Sequence, residues 1–331
     1  MNSTAVERLD ESAQAENRRA PRPLGDHLLH WASWSAAVAV LLVLGAILVM
    51  LFVGARPAFE KFGFFHFLST AEWNPVTEIF GGLSPLVGTL VSSAIALLIG
   101  LPMSFGIALF ITEMAPPWLK RPVGTTIELL AAIPSIIYGM WGLFVFAPFF
   151  ADHIQPLMTE TLGRLPLVGA LFQGPPLGIG IFTAGLILAI MIVPFIASVM
   201  RDVFDTVPAE LRESAYGVGS TTWEVVWNVV LPYTKVGVLG GIMLGLGRAL
   251  GETMAVTFVI GNAHELHAAL FMPGNSIAST IANEFTEADG EVYTASLIAL
   301  ALILFLITFV VLAVAKIMLI RMTTHQEGRK A

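Results

Sequence analysis

The sequence contains no cysteine, and only 12% of its 331 residues are charged, against about 25% in an ordinary soluble domain. The lack of cysteine excludes disulfides, thiol catalysis and thiolate metal sites. No Gly-Lys-Ser or Gly-Lys-Thr sequence is present, so the chain lacks the phosphate-binding loop of a P-loop ATPase. Because 56% of the residues are hydrophobic, the composition predicts an integral membrane protein.

Six apolar stretches are each long enough to cross a bilayer as a helix, for which about 20 residues suffice. We therefore predict an all-α, polytopic membrane protein with six transmembrane helices. These are expected at about residues 31–54, 85–111, 124–150, 178–200, 236–261 and 293–320. The first is too long for the core of a signal peptide and is interpreted as an uncleaved anchor. Proline interrupts three of the spans, which a membrane helix tolerates only where its neighbours satisfy the freed backbone groups.

The basic residues predict the orientation of these spans. Of the 17 Lys and Arg residues, 13 lie in the segments on one side of the predicted spans, three lie on the other side, and Arg248 lies inside the fifth span. Basic residues accumulate on the cytoplasmic side of membrane proteins, so both termini are expected in the cytoplasm. The polar residues 1–27 are expected to form a disordered cytoplasmic tail.

The fifth span carries two charges, Arg248 and Glu252, four residues apart. Each costs about 2.5–3.5 kcal/mol at a bilayer centre, so this helix is not expected to face lipid on all sides. On one continuous helix they would share a face and pair. They form either a structural ion pair or part of an anion pathway. Three glycines at a spacing of four, Gly237, Gly241 and Gly245, predict close approach of another helix.

The loop at residues 201–235 has the pattern of two short helices separated by a glycine turn. Pro208 suits the start of the first helix, and Gly219 follows its end. Thr221 and Glu224 predict a capping box for the second helix, which is expected to end near Pro232. Taken alone, the pattern favours an amphipathic hairpin on the membrane surface over a docking element.

The same loop resembles the EAA loop of ABC importer permeases, in which Glu-Ala-Ala is followed by three residues, Gly, nine residues and Ile-x-Leu-Pro. The matching residues are Glu213, Ser214, Ala215, Gly219, Val229, Leu231 and Pro232, with mild departures at Ser214 and Val229. The segment 247–256, GRALGETMAV, is similar to the C-type membrane subunit of phosphate-specific ABC importers. Segments 128–135, 138–142, 80–82 and 88–89 match the same family. The likeness covers about residues 28–320.

The resemblance implies a type I ABC importer permease fold. It divides the chain into the tail 1–27, a first helix and external segment at 28–80, a permease core at 81–320 containing the coupling loop 201–235, and a tail at 321–331. The implied location is the bacterial plasma membrane, and the implied substrate is inorganic phosphate. The implied partners are an A-type permease subunit, a dimer of ATP-binding subunits that uses ATP and magnesium, and an extracytoplasmic phosphate-binding protein. Besides membrane lipid, no nucleic acid or cofactor is expected to bind this chain, which is not expected to be an enzyme.

The resemblance also suggests roles for individual residues. Arg248 would attract phosphate into the pathway, and Glu252 would hold Arg248 in place and limit how tightly the anion binds. Hydroxyl groups on the spans are further candidates for anion contact, although most such groups bond to their own backbone. These candidates are Ser135, Tyr138, Thr89, Ser92 and Ser93. The residues expected to couple to the ATPase are Glu213, Ser214, Ala215, Gly219, Leu231 and Pro232.

The sequence leaves three alternatives to phosphate import. An importer of another oxyanion, sulfate or molybdate, is closest, and an anion channel using Arg248 as its selectivity element is more distant. An intramembrane enzyme is disfavoured because none of the seven His residues lies in the middle of a span. His264 and His267 in an external loop are more readily explained by chance than by a metal site.

The external segments either cap helix ends or form a docking surface for an external partner. They carry one tryptophan, three prolines and a set of acidic residues, namely Trp73, Pro75, Pro156, Pro166, Glu284, Glu287, Asp289 and Glu291. Four phenylalanines after the first span, at positions 62, 64, 65 and 67, are expected to lie in the membrane interface.

Overall fold

The computed structural model describes residues 24–166 and 168–327, so most of the expected N-terminal tail lies outside the described residues. The described helices are α1 Leu24–Phe62, α2 Phe64–Ser69, α3 Leu83–Leu109, α4 Pro117–Ala131, α5 Ser135–Trp141, α6 Ala147–Phe149, α7 Gln155–Thr161, α8 Ile181–Asp205, α9 Ala209–Gly217, α10 Thr222–Val225, α11 Leu231–Leu250, α12 Met254–Val259, α13 Ile277–Glu284 and α14 Glu291–Glu327. Wider π-helical turns occupy Phe110–Met114, Gly142–Phe146, Phe150–Ile154 and Val226–Val230. Two short strands, β1 Trp73–Asn74 and β2 Ile79–Phe80, pair antiparallel.

The six predicted membrane-crossing helices are confirmed among the described residues, with revised bounds. They are Gly25–Phe62, Leu83–Met114, Ser135–Arg164, Ile181–Asp205, Thr222–Leu250 and Glu291–Arg321. The most apolar window of α8 is 72% buried, against 28% or less in the other five. Within residues 54–327, helix α8 is therefore the centre of the helix packing.

The chain divides into two compact units, Met1–Val53 and Gly54–Ala331. In the first unit the described part of α1 is apolar around its whole circumference and almost entirely exposed. A helix of this kind is suited to contact with lipid on all sides. In the second unit a hydrophobic core surrounds α8 and includes Ile192, Ile196 and Met200.

The third predicted span, 124–150, is wrong in its bounds. The structure places residues 117–131 in a separate helix, α4, and begins the membrane-crossing segment at Ser135. The break falls at Pro134, which lacks a backbone N–H and disfavours a helical conformation in the residue before it. Hydropathy alone joined the two helices because the end of α4 and the start of the next segment form a run of mostly apolar residues, 127–133.

The fifth predicted span, 236–261, is also wrong in its bounds. The capping box of Thr221 and Glu224 is confirmed, but the helix that follows does not end near Pro232. It continues through the π-helical turn into α11, because Pro232 lies in the first turn of α11, where a missing N–H is tolerated. Helix α11 then ends at Leu250, and α12 begins only at Met254.

The close helix approach predicted from the glycines of α11 is confirmed. A Cβ atom at Gly237 would lie 2.5 Å from Cγ1 of Val203, and one at Gly245 would overlap Ile196 of α8. A Cβ at Gly241 would touch Val199 at 3.3 Å. Bare backbone at these positions therefore lets α11 pack directly on the central helix.

The phenylalanines after the first span do not share one environment. Phe65 is 83% exposed, as expected for an interfacial ring, whereas Phe67 is fully buried. Phe67 packs edge-to-face on Phe59 of α1, with ring centroids 6.0 Å apart. The interfacial interpretation is therefore wrong for Phe67, which belongs to the core of the second unit.

Candidate functional site

The candidate site surrounds the chain break between α11 and α12. Arg248 lies in the last turn of α11, and Gly251 ends that helix. Glu252 lies in the break, where its Oε1 accepts a hydrogen bond from the backbone N–H of Ala255, at 3.2 Å, in the first turn of α12. Among the ion pairs of the described residues, none joins Arg248 to Glu252. The predicted pair on one helix face is therefore wrong, because the helix does not continue from one residue to the other.

The guanidinium of Arg248 lies over the ring of Phe195 in α8, with Cζ 5.2 Å from the ring centroid. This geometry is that of a cation–π contact. The Nε atom of Arg248 is buried and has no hydrogen-bond partner in the structure. A buried donor without an acceptor is costly, more so when it is charged, so this N–H is available to an anionic ligand.

Helix α5 brings one of the candidate hydroxyl residues, Tyr138, to the same region. It packs closely on α12, since a Cβ atom at Gly139 would lie 2.9 Å from Cδ2 of Phe258. Tyr138 lies within electrostatic range of Arg248, and its hydroxyl donates a hydrogen bond to the backbone carbonyl of Leu130 at 2.9 Å. Ser135 lies three residues earlier, on the same face of α5.

The hydroxyl candidates on α3 have a different role in the structure. Thr89 is 3% exposed, and its hydroxyl donates to the carbonyl of Pro85 and accepts from the N–H of Ile277 in the first turn of α13. Ser92 donates to the carbonyl of Thr89 at 3.3 Å. The buried Oγ of Ser93 has no partner in the structure. Thr89 therefore joins α3 to α13 and does not join the group around Arg248.

The predicted coupling segment forms α9 and the turn that follows it. Glu213 and Ser214 are exposed on α9, and Ala215 is half-buried. Gly219 has φ +89, a left-handed conformation that glycine adopts at little cost. Leu231 and Pro232 start α11, so the motif continues into a membrane-crossing helix.

Sequence reasoning missed the contact that attaches α9 to the membrane-crossing helices. Arg212 on α9 forms an ion pair with Glu113, with 3.1 Å between Nη2 and Oε1, and donates to the carbonyl of Phe204 at 2.7 Å. The Glu113 side chain is 4% exposed and lies in the π-helical turn after α3. The sequence did offer one signal for this contact, because Glu113 is an acidic residue directly after an apolar span.

A second polar network, on the predicted external side, is centred on Glu284 at the end of α13. Its carboxylate accepts hydrogen bonds from Nε1 of Trp73 and the hydroxyl of Tyr293, both at 2.7 Å, and lies 2.7 Å from Nε2 of His264. Asn275 lies 2.8 Å from Nδ1 of the same histidine. Burial acts to raise the pKa of Glu284, but His264 and the two donors outweigh it and hold the pKa below its usual value.

Sequence reasoning treated Trp73 and Glu284 as separate members of the external segments and did not connect them. The connection joins residues 211 positions apart, which no local pattern reveals. His264 proves to be a partner of Glu284, and no group of three or more potential metal ligands occurs within 24–166 and 168–327.

Replacing Glu284 with Gln is expected to destabilise the protein by about 1–3 kcal/mol at neutral pH, because the donors lose a charged acceptor. The folded-state pKa of Glu284 is depressed, so its contribution is present above the unfolded value of about 4.3 and is lost as pH falls through the folded value. Thermal unfolding at pH 7 and near pH 4 should therefore show a difference between wild type and variant that narrows in acid.

The matched control is Asp289→Asn, which removes an exposed carboxylate nearby and should have little effect at either pH. An equal difference between wild type and Glu284→Gln at both pH values would show that the carboxylate charge does not stabilise the network.

Comparison with known proteins identifies the relatives of the chain. Residues 96–324 match the family described as binding-protein-dependent transport system inner membrane component. The phosphate transport system permease protein PstC of Pasteurella multocida is 59% identical over 322 residues, which cover 97% of this chain and 100% of that protein. The PstC of Mesorhizobium japonicum is 57% identical and covers 90% and 91%, and PstC 1 of Mycobacterium tuberculosis is 39% identical and covers 78% and 82%.

The fold has a counterpart among solved structures. A chain of the bacterial alginate ABC transporter, crystallised with an alginate pentasaccharide-bound periplasmic protein, superimposes with a TM-score of 0.59 over 92% of this chain and 99% of that chain. The sequence identity is 20%, so this likeness concerns the fold alone. It confirms the expected permease architecture of a type I ABC importer.

Proposed function

Because this chain belongs to the C-type phosphate permeases of the binding-protein-dependent transport systems, we propose that it forms half of the membrane pathway of an ATP-driven importer of inorganic phosphate. The family predicted from the EAA-like loop is confirmed. The chain is a multi-pass membrane subunit of an ABC importer and not an enzyme, and such a permease works with an ATPase and a substrate-binding protein.

We propose three partners for this chain. The second half of the pathway is an A-type permease subunit, and two copies of an ATP-binding subunit supply the energy, using ATP and magnesium. A phosphate-binding protein delivers the substrate from outside, and this chain binds no cofactor of its own. Both termini lie in the cytoplasm, on the side that carries the excess of Lys and Arg.

The observation that carries the proposal is the state of Arg248. Its charge is permanent, its Nε donor is buried without a partner, and Glu252 does not neutralise it. The planar guanidinium offers parallel N–H donors that match the oxygens of a phosphate ion. An anion reaching the break between α11 and α12 would meet Arg248 first, with Tyr138 and Ser135 on the facing helix.

Of the two roles that the resemblance suggested for Glu252, holding Arg248 in place does not fit the structure, and limiting the affinity for the anion remains. The Glu252 carboxylate accepts from the start of α12, so it holds the break in shape and places a negative charge near the anion path. Like charges repel, so this carboxylate limits how tightly phosphate binds at Arg248. Weak binding favours release to the cytoplasm, because conduction requires that the ion leave each site.

The coupling segment provides the link to ATP hydrolysis. Helix α9 would dock on the ATPase through its exposed face, which includes Glu213. Arg212 ties that helix to the end of α8 and, through Glu113, to the end of α3. Movement of α9 would therefore carry two membrane-crossing helices with it and switch the cavity between outward-facing and inward-facing forms.

Two rival functions differ from phosphate import in their substrate or in their use of ATP. An importer of sulfate or molybdate would use the same Arg248 electrostatics, and the phosphate permease relatives favour phosphate. An anion channel would need no segment for ATPase docking, yet α9 is present with its exposed face and Gly219 turn.

The test is uptake of radiolabelled phosphate and sulfate by cells that lack their own high-affinity phosphate uptake and carry this chain with its proposed partners. We expect saturable phosphate uptake that excess sulfate does not inhibit and that disappears without the ATP-binding subunit. Uptake of sulfate would establish the rival oxyanion, and uptake that persists without the ATPase would establish a channel.

A further inference from the structure

Three arginines in the described part of the chain are only partly exposed, and they have two kinds of partner. Two of them are paired with carboxylates. Nη2 of Arg201 in α8 lies 2.6 Å from Oε1 of Glu128 in α4. Nη2 of Arg212 in α9 lies 3.1 Å from Oε1 of Glu113, in the π-helical turn after α3. Each pair joins two elements of the fold, and the carboxylate cancels the charge of the arginine.

Arg248 is the third of these arginines, and its partner is an aromatic ring. Arg248 occurs in none of the ion pairs formed by residues 24–166 and 168–327. Its Cζ lies 5.2 Å from the centroid of the Phe195 ring, inside the range of roughly 6 Å over which a ring face attracts a cation. The nearby carboxylate of Glu252 accepts from the N–H of Ala255 instead. The guanidinium therefore rests on an uncharged group.

Phe195 lies on a firmly packed stretch of α8. The carbonyl of Val193 accepts a hydrogen bond from the hydroxyl of Ser104 in α3, at 3.1 Å, and Ile196 is fully buried. On the side of α11, a Cβ atom at Gly245 would overlap Ile196, so the two helix backbones touch about one turn before the arginine. The backbone that carries the ring is therefore fixed relative to both α3 and α11.

A ring holds a cation in a way that a carboxylate cannot. The attraction acts between the positive charge and the negative face of the ring, and it uses no N–H donor. A carboxylate in the same place would cancel the charge and occupy the donors, so an incoming anion would first have to displace it. The Nε atom of Arg248, buried and without a hydrogen-bond partner, is a donor that the ring leaves free.

We propose that Phe195 is a positioning residue for anion transport. Its ring holds the guanidinium of Arg248 at the break between α11 and α12 and leaves both the positive charge and the Nε donor available to a phosphate ion. This role rests on the proposed function, since it presupposes that phosphate passes Arg248. Phe195 donates no hydrogen bond to the anion. It restricts the rotamers of the long arginine side chain, so less conformational entropy is lost when the anion binds.

The test replaces Phe195 with monofluorinated, difluorinated and trifluorinated phenylalanine in the whole transporter, reconstituted in proteoliposomes. Fluorine withdraws electron density from the ring face, which weakens its attraction for a cation while the size of the ring changes little. The maximal rate of phosphate uptake should fall with each added fluorine, to roughly one tenth with the trifluorinated ring. The phosphate concentration that gives half-maximal uptake should stay the same, because the external binding protein is proposed to capture the ion.

Phe182 provides the matched control. It lies on the same helix, α8, and is also partly buried. Its ring packs on the rings of Phe150, Phe172 and Phe271. The same fluorinated residues at position 182 should leave the maximal rate of uptake unchanged. If Phe195 served packing alone, fluorination there would have equally little effect, because the shape of the ring is nearly the same.

A second measurement does not depend on transport. Thermal unfolding of the purified complex is compared for Phe195→Leu, Arg248→Gln and the double variant. Phe195→Leu should lower the Tm more when Arg248 is present than when it is replaced, because only then is the contact with the cation lost together with the packing of the ring.

Three results would overturn the role of Phe195 in a complex that imports phosphate. They are uptake that does not change with fluorination at position 195, uptake that falls equally with fluorination at position 182, and Tm shifts of the two substitutions that simply add. A complex that imports no phosphate before any substitution would refute the proposed function instead. The two failures are distinguished because only the second appears in the unsubstituted protein.

Discussion

Replacing Arg248 with Gln is expected to lower phosphate uptake at least about 100-fold while the subunit remains in the assembled complex. The substitution removes the permanent charge and the unpartnered Nε donor at the break between α11 and α12. A charge-assisted hydrogen bond contributes about 1.5–3 kcal/mol, and an anion in a membrane pathway has few other cations to replace it. The measurement is radiolabelled phosphate uptake at matched membrane levels of wild type and variant.

Two further variants separate the effect of the Arg248 charge from the effect of the planar guanidinium and of Glu252. Arg248→Lys keeps the charge but loses the planar fork, so it should retain part of the uptake. Glu252→Gln should leave the complex assembled and Arg248 in position, because the Glu252 carboxylate bonds to the start of α12 and not to Arg248. Uptake that survives Arg248→Gln would make Arg248 a packing residue on Phe195, and loss of assembly in that variant would do the same.

Replacing Gly219 with Val is expected to uncouple ATP hydrolysis from transport. Gly219 has φ +89, and a side chain there would meet nothing within 4 Å, so the penalty is conformational and not steric. A β-branched residue held in this region costs about 1–3 kcal/mol, and the turn would relax by moving α9. In proteoliposomes containing the whole complex, ATP hydrolysis should persist while phosphate uptake falls roughly tenfold or more.

Gly217→Val provides the matched control for this prediction. A Cβ atom at Gly217 would also meet nothing within 4 Å, but the φ of this residue is not positive, so Val can occupy the position without backbone strain. The variant should transport phosphate nearly normally. Normal coupled transport by Gly219→Val would show that the turn after α9 has no part in coupling.

Local patterns predicted much of the fold because the relevant forces act over short stretches of chain. Apolar runs predicted the number of membrane-crossing helices, and Thr221 with Glu224 predicted a capping box that the structure contains. The glycine spacing in α11 predicted a close helix contact, although not that its partner would be α8. The EAA-like loop predicted the family to which the chain belongs.

Predictions failed where two neighbouring elements have the same apolar composition. Residues 124–150 and 236–261 are each mostly apolar despite Glu128, Arg248 and Glu252, so hydropathy joins helices that the backbone separates at Pro134 and at Gly251. The second error also produced the wrong Arg248–Glu252 pair, since a spacing of four residues places side chains together only on an unbroken helix.

The sequence by itself determined that this protein crosses the membrane, how many helices do so, and which family it belongs to, because composition and motifs are properties of short segments. The tertiary structure alone decided which groups meet. Arg248 lies on Phe195, Arg212 holds Glu113, and Glu284 receives donors from Trp73 and Tyr293. Each of these contacts joins side chains from different elements, and only the packing of whole helices brings them within hydrogen-bonding distance or ring contact.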